Sequence, residues 1–170
     1  MGGILSDKRA QRAERAAQEK VKNDIRGLQN EMETSSRAYN LCAEHYGKWK
    51  FILFVLLLLV GGLSAGHKAL GWKMPQTDDP KSTITFIVIF ALGGAVFVIQ
   101  QCYSRMSDAH EKHYKAEKNC QSIADRARYA SDSNESSSSL RMRYDALLKD
   151  KGNSSDIRYE QWAYDEASKK

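Results

Sequence analysis

Phe51-Ile52-Leu53-Phe54-Val55-Leu56-Leu57-Leu58-Leu59-Val60-Gly61-Gly62-Leu63-Ser64-Ala65-Gly66 is a run of 16 residues without a charge, and its reading decides the fold. A helix needs roughly 20 mostly apolar residues to cross a bilayer core of about 30 Å. The flanks supply the missing length. Trp49 and Lys50 stand before the run, and His67, Lys68, Trp72 and Lys73 stand after it. Interfacial Trp and outward-reaching Lys are what the ends of a membrane span carry. A second uncharged run of 23 residues, Ser82 to Ser104, is long enough unaided and ends at Tyr103 and Arg105. The two runs predict spans at about residues 50–70 and 83–103, joined by an outer loop over 71–82 that holds Pro75, Asp78, Asp79 and Pro80. Residues 50–103 thus read as a transmembrane hairpin.

Averages over the whole chain hide this. A length of 170 residues, a net charge of +5 and a mean hydropathy of −0.58 describe a small, basic, soluble domain. With the two runs set aside, too few large aliphatic residues remain for an ordinary globular core. Three cysteines are too few, and odd in number, for a disulfide scaffold. Lys and Arg number 10 in residues 1–50, 3 in 67–83 and 13 in 104–170, so both termini are expected on the cytoplasmic side of an inner membrane. Cys42, Cys102 and Cys120 then fall on the side where thiols stay reduced. The basic excess fits a cytoplasmic membrane flank. Charges of both signs are mixed along the flanking segments, and no Arg-rich aromatic cluster accompanies them, so no nucleic-acid partner is expected.

The flanking segments carry their own pattern. Residues 1–49 contain a heptad seam, Val21, Ile25, Leu28, Met32, Ser35, Tyr39, Cys42, Tyr46 and Trp49, at alternating spacings of 4 and 3. No Pro interrupts the chain before Pro75, so arm and first span can form one helix. Residues 104–130 repeat the spacing with smaller side chains: after Cys102 come Met106, Ala109, His113, Ala116, Cys120, Ile123, Ala127 and Ala130. A seam of small residues admits a close neighbour, either the first arm or a copy of itself in another subunit. Ser-rich residues 131–139 read as a linker. In the tail, 140–170, Leu140, Tyr144, Leu147 and Leu148 make one helical stripe, with Gly152 and Asn153 as its stop. Ser155 or Asp156 is a candidate cap for a last helix with Ile157, Tyr159, Trp162 and Tyr164. That aromatic cluster either packs on the arms or docks a partner. The expected class is an all-α membrane protein, a two-helix transmembrane hairpin with long cytoplasmic, coiled-coil-like extensions.

Chemistry is sparse. There is no phosphate-binding glycine loop, nucleophile elbow or HExxH motif, so the reading is non-enzymatic and without a cofactor. Cys42 and His45, with His110 and His113, pair at i, i+3 on the two arms and form a weak candidate zinc set. In the spans, Gly61, Gly62, Ala65 and Gly66, with Ala91, Gly93, Gly94 and Ala95, are small residues of the kind that let helices pack closely in lipid. They predict packing within the hairpin or in a homo-oligomer. Neither span carries an internal charge, which disfavours a proton-coupled transporter or a charge-selective filter. The start, Met1-Gly2-Gly3-Ile4-Leu5-Ser6, also matches an N-myristoylation pattern.

The order of arm Tyr39–Trp49, hairpin Phe51–Gln101 and second arm Tyr103–Tyr129 resembles the SLATT family, the SMODS- and SLOG-associating two-transmembrane effectors of bacteria. The resemblance lies in architecture and covers about residues 20–150. It implies a membrane effector of antiphage defence, released by a nucleotide second messenger or a sensor partner, that assembles and breaches the inner membrane. It transfers no catalytic residue, and no ligand-binding residue is identified. The alternatives are a membrane adaptor whose coiled arms recruit a partner, and a holin-like phage protein, against which the long arms count.

Overall fold

The computed structural model describes residues 2–69, 80–154 and 157–169, with side chains over 8–62, 90–153 and 157–169. Every regular element among them is a helix: α1 (Gly2–Ala69), α2 (Pro80–Asp132), α3 (Ser137–Ser154) and α4 (Gln161–Ala167). α1 runs unbroken because its glycines are single or paired exceptions in a sequence of good helix formers. α2 opens on Pro80, whose missing N–H costs nothing in a first turn. The break between α2 and α3 is confined to residues 133–136, shorter than the Ser-rich composition implied. Serines both end and start the helices there. The Ser133 hydroxyl bonds the Ala130 carbonyl at 2.9 Å, and Ser136 Oγ accepts from the Ser139 amide at 3.4 Å. α3 continues through Gly152 and Asn153 to Ser154, beyond the expected stop. The expected loop residues Trp72, Lys73, Pro75, Asp78 and Asp79 and the candidate cap Ser155 or Asp156 lie outside the described residues. So do the side chains of the N-terminal acylation pattern.

The chain divides into two compact units. The first joins residues 1–42 to 112–170. Within it α1 and α2 are antiparallel: Gln18 Nε2 donates to the Glu135 carbonyl at 2.6 Å, and Ser36 Oγ to the Glu117 carbonyl at 3.4 Å. α3 returns alongside α1. Glu14 accepts the Ser137 amide at 2.9 Å near the start of α3, and Lys151 reaches Glu31 at 2.5 Å near its end. The result is a three-helix bundle. Its core takes Val21, Ile25, Leu28, Met32 and Tyr39 from α1 and Leu140 and Leu147 from α3. From α2 it takes Ala116, Cys120, Ile123, Ala124, Ala127 and Ala130. Large side chains of α1 thus face mostly alanines of α2, the complementary pairing of large with small that fills a helix interface. Ser35 and Cys42, also on the α1 seam, are buried, whereas Tyr46 is half-buried and Trp49 is exposed.

The second unit is residues 43–111. Its helical segments are antiparallel where their contacts are described. His110 Nδ1 lies 2.9 Å from the Ala43 carbonyl, and the Lys50 ammonium lies 6.0 Å from the centroid of the Tyr103 ring. Phe54 and Tyr103 follow, with ring centroids 6.4 Å apart.

Candidate functional site

The second unit presents the largest apolar surface described. Phe51, Ile52, Phe54, Val55, Leu56, Leu58 and Leu59 on α1, and Phe90, Leu92, Phe97 and Val98 on α2, are all exposed, Phe90 by 86%. Each such side chain would gain about 1.5–3 kcal/mol from leaving water, so in water alone this surface is a large unmet cost. Soluble monomers rarely leave apolar patches beyond a few hundred Å² uncovered. Among the described residues one helix, α1, is long and apolar enough to cross a membrane by length and composition, and none of its apolar window is buried. For the second expected span, side chains are described only from Phe90 onward.

Polar and aromatic groups collect at one end of this surface. His45 packs edge-on against Tyr46 and Trp49, with centroids 5.8 and 6.5 Å apart. Lys50 lies over Tyr103, a cation held against a ring face. Gly47 marks the close approach here: a Cβ at that position would stand 3.5 Å from the His110 ring. No distinct signal in the sequence marks it, since Gly27 stands in the same arm and a Cβ there would meet nothing within 4 Å among the described residues.

The small residues singled out in the spans behave otherwise. A Cβ added at Gly61, Gly62, Gly93 or Gly94 would meet nothing within 4 Å among the described residues. Ala91 and Ala95 are exposed as well. The side chain of Ala65 and the surroundings of Gly66 lie outside the described residues.

The candidate zinc set does not form. Among the described residues no group of three or more His, Cys, Asp or Glu stands ready to hold a metal. Cys42 and His113 belong to the first unit, His45 and His110 to the second. Matched i, i+3 spacing set the two pairs level on paper, but each side chain is drawn into local packing. His110 Nδ1 is engaged by the Ala43 carbonyl and His45 by its aromatic neighbours.

Cys42 instead meets the tail, and His113 stands beside Tyr39, which does too. The Tyr39 hydroxyl donates to the Ile157 carbonyl, and the Tyr39 ring stands 5.9 Å from that of His113 and 5.1 Å, edge to face, from that of Tyr159. Tyr159 stacks on Tyr164 at 5.2 Å. The Glu160 backbone hydrogen-bonds the Cys42 thiol. Burial pushes the Tyr39 hydroxyl up to about 12, helped by the neighbouring Cys120, Tyr159 and Cys42. Burial also raises the Cys42 and Cys120 thiols and lowers the His113 imidazole, against a smaller opposing pull from Glu160. Neutral, protonated thiols of this kind are poor nucleophiles and poor metal ligands. The sequence could see the aromatic tail; it could not see Tyr39 as the seat.

A ligand-sized recess lies elsewhere on the bundle, a groove of about 360 Å³ lined by Asp125, Arg126, Tyr129, Ala130, Arg143, Ala146 and Leu147. Its arginines are engaged: Arg126 pairs with Asp150 at 2.8 Å and Arg143 with Glu135 at 2.5 Å. The local charge is therefore near balance, unlike a phosphate-binding site. No family of known proteins, no characterised protein and no solved structure matches this chain.

Proposed function

We propose that this chain is a two-span membrane effector. In this reading residues 50–70 and 83–103 cross the inner membrane with both termini in the cytoplasm. The protein assembles into oligomers, and when a signal reaches the cytoplasmic bundle it breaches the membrane. The observation that carries the reading is the joining of two opposite surfaces in one chain: an apolar face with Phe51, Leu58, Leu59, Phe90 and Phe97 exposed, and a bundle whose core is filled by its own helices. A bilayer covers the first and water suits the second. Trp49, Lys50 and Tyr103 stand where a lipid–water boundary selects such side chains. Gly62, Gly93 and Gly94, where a Cβ would meet nothing within 4 Å among the described residues, offer room to a neighbouring subunit. Release by a nucleotide messenger or sensor partner, and a role in antiphage defence, draw on the resemblance to the SLATT effectors.

The test is controlled expression in bacterial cells with a potential-sensitive dye, alongside carbonate extraction of membranes. The effector reading expects carbonate-resistant protein and inducible depolarisation with growth arrest. Carbonate-resistant protein that never depolarises the membrane under any candidate nucleotide leaves the adaptor reading in its place. The exposed Tyr129, Met142 and Trp162 on the bundle and tail would then serve as partner contacts.

A further inference from the structure

The tail sits on the bundle in a way that differs from the rest of the core. Where α1, α2 and α3 meet, the large side chains removed fully from solvent are aliphatic, Ile25, Ile123 and Leu140. Under the tail the buried side chains are a phenol, a thiol and an imidazole: Tyr39, Cys42 and His113. The tail buries only small residues fully, and its larger hydrophobics Ile157 and Tyr159 pack against the core only in part. Its buried residues on α4 are Ala163 and Ala167; Ile157 and Tyr159 are half-buried, and Trp162 is exposed. α4 has 7 residues, and Glu160 at its N-cap makes no side-chain cap. A helix this short has no stability of its own in water. A cleft of about 350 Å³ open to the surface is lined by Tyr39, Ile157, Arg158, Tyr159 and Gln161. Local opening is cheapest where few apolar contacts are lost, and on each of these counts that place is the tail.

We propose that residues 157–167 form a detachable strap, seated on an interaction surface made by Tyr39, Cys42 and His113, and that release of the strap switches the membrane effector on. The first half stands on geometry alone; the second rests on the effector reading above. In the closed state the Tyr39 hydroxyl is spent on the Ile157 carbonyl, its ring is covered by Tyr159, and Cys42 lies beneath the Glu160 backbone. Opening bares Cys42 and Tyr39 and leaves Ile25, Ile123 and Leu140 packed. A competing partner would need an aromatic side chain for Tyr39 and a free backbone polar group for its hydroxyl, as an extended aromatic peptide provides.

The cysteines report both parts. Full-length protein in lipid vesicles is treated with a maleimide, and modification of each cysteine is followed by mass spectrometry. Cys42 reports the strap and Cys120 the bundle core. Tyr159→Ala and Ala163→Glu are each expected to raise the rate of Cys42 labelling about tenfold or more while Cys120 stays as slow as in the wild type. Both variants are expected to increase membrane leakage in cells. Unchanged Cys42 labelling in the two variants overturns the strap, and so does a matching rise at Cys120, because the tail would then be an integral part of the core. Faster Cys42 labelling without added leakage keeps the strap and removes its switching role. A wild type that never leaks, with Cys42 still released by the variants, defeats the effector reading and not the strap.

Discussion

Residues 21–42 of α1 and residues 51–62 of the same helix are built from similar side chains and end in opposite environments. In the first segment Val21, Ile25, Leu28 and Met32 are spaced 3 or 4 apart, and all are buried. In the second the apolar residues are continuous, and Phe51, Ile52, Phe54, Leu58 and Leu59 are exposed. Periodicity, more than apolar content, decides which segment can be satisfied by protein. A stripe one side wide is closed by two neighbouring helices, whereas a helix apolar on all faces needs apolar surroundings on every side.

The strongest way to break the contrast is to place a charge in each segment. Ile25→Asp puts a carboxylate into a fully buried site, and the bundle is expected to lose about 3–5 kcal/mol or fail to fold. Loss of the cooperative thermal transition in circular dichroism checks this. In the two-span reading proposed above, Leu58→Arg should cost about 2.5–3.5 kcal/mol of insertion at mid-span and leave the bundle transition within about 0.5 kcal/mol of wild type. If Leu58→Arg melts the bundle instead, the two segments are not independent in the way described.

A subtler test overfills the seam. Ala127 on α2 is fully buried against the large residues of α1, and Ala127→Leu should cost about 1–3 kcal/mol through overpacking, measured by urea unfolding. The same exchange at Gly62, where a Cβ meets open space, should leave that value unchanged. Weaker subunit cross-linking in Gly62→Leu would point to its use between chains; undiminished cross-linking would remove that role.

The smallest effects are pH-dependent. Burial lowers the His113 pKa, so the unfolded chain takes up this proton first as pH falls. The contribution of His113 is whole above about pH 6.5 and is lost as pH falls below that toward the folded-state value. His113→Gln should flatten this part of the acid limb, seen as a smaller drop in bundle stability between pH 7.5 and 5. Tyr39 acts in the opposite window. Its hydroxyl, raised to about 12, contributes below pH 10 and loses that contribution between pH 10 and 12, a loss that Tyr39→Phe should abolish.

Much of this fold is legible in the sequence because its main signals are local periods. The 4, 3 spacing from Val21 to Cys42 and the small-residue seam from His113 to Ala130 mark the residues that the bundle buries. The uncharged run from Phe51 marks the exposed apolar surface. What escapes is set by partners distant in the chain. Gly152 is a helix breaker by propensity, yet α3 passes through it, with Lys151 beside it paired to Glu31. Cys42, His45, His110 and His113 have the spacing of a ligand set, but spacing along two helices does not fix which way each ring turns. The pairing of Tyr39 with Tyr159 joins residues too far apart for any short motif to register.

The bundle is assembled from two stretches of chain, residues 1–42 and 112–170, with 69 residues between them. Its defining bonds, Gln18 to Glu135 and Glu14 to Ser137, join positions 117 and 123 residues apart. A helical bundle ordinarily folds fast because its contacts are local, and here they are not. At roughly 5–20 residues per second, the residues that pair with Gln18 and Glu14 are made on the order of 6–25 seconds after them. Val21, Ile25, Leu28 and Met32 face the cell uncovered during that time. The apolar run that follows them must be dealt with first, which makes closure of the bundle a natural last step in the biogenesis of this chain.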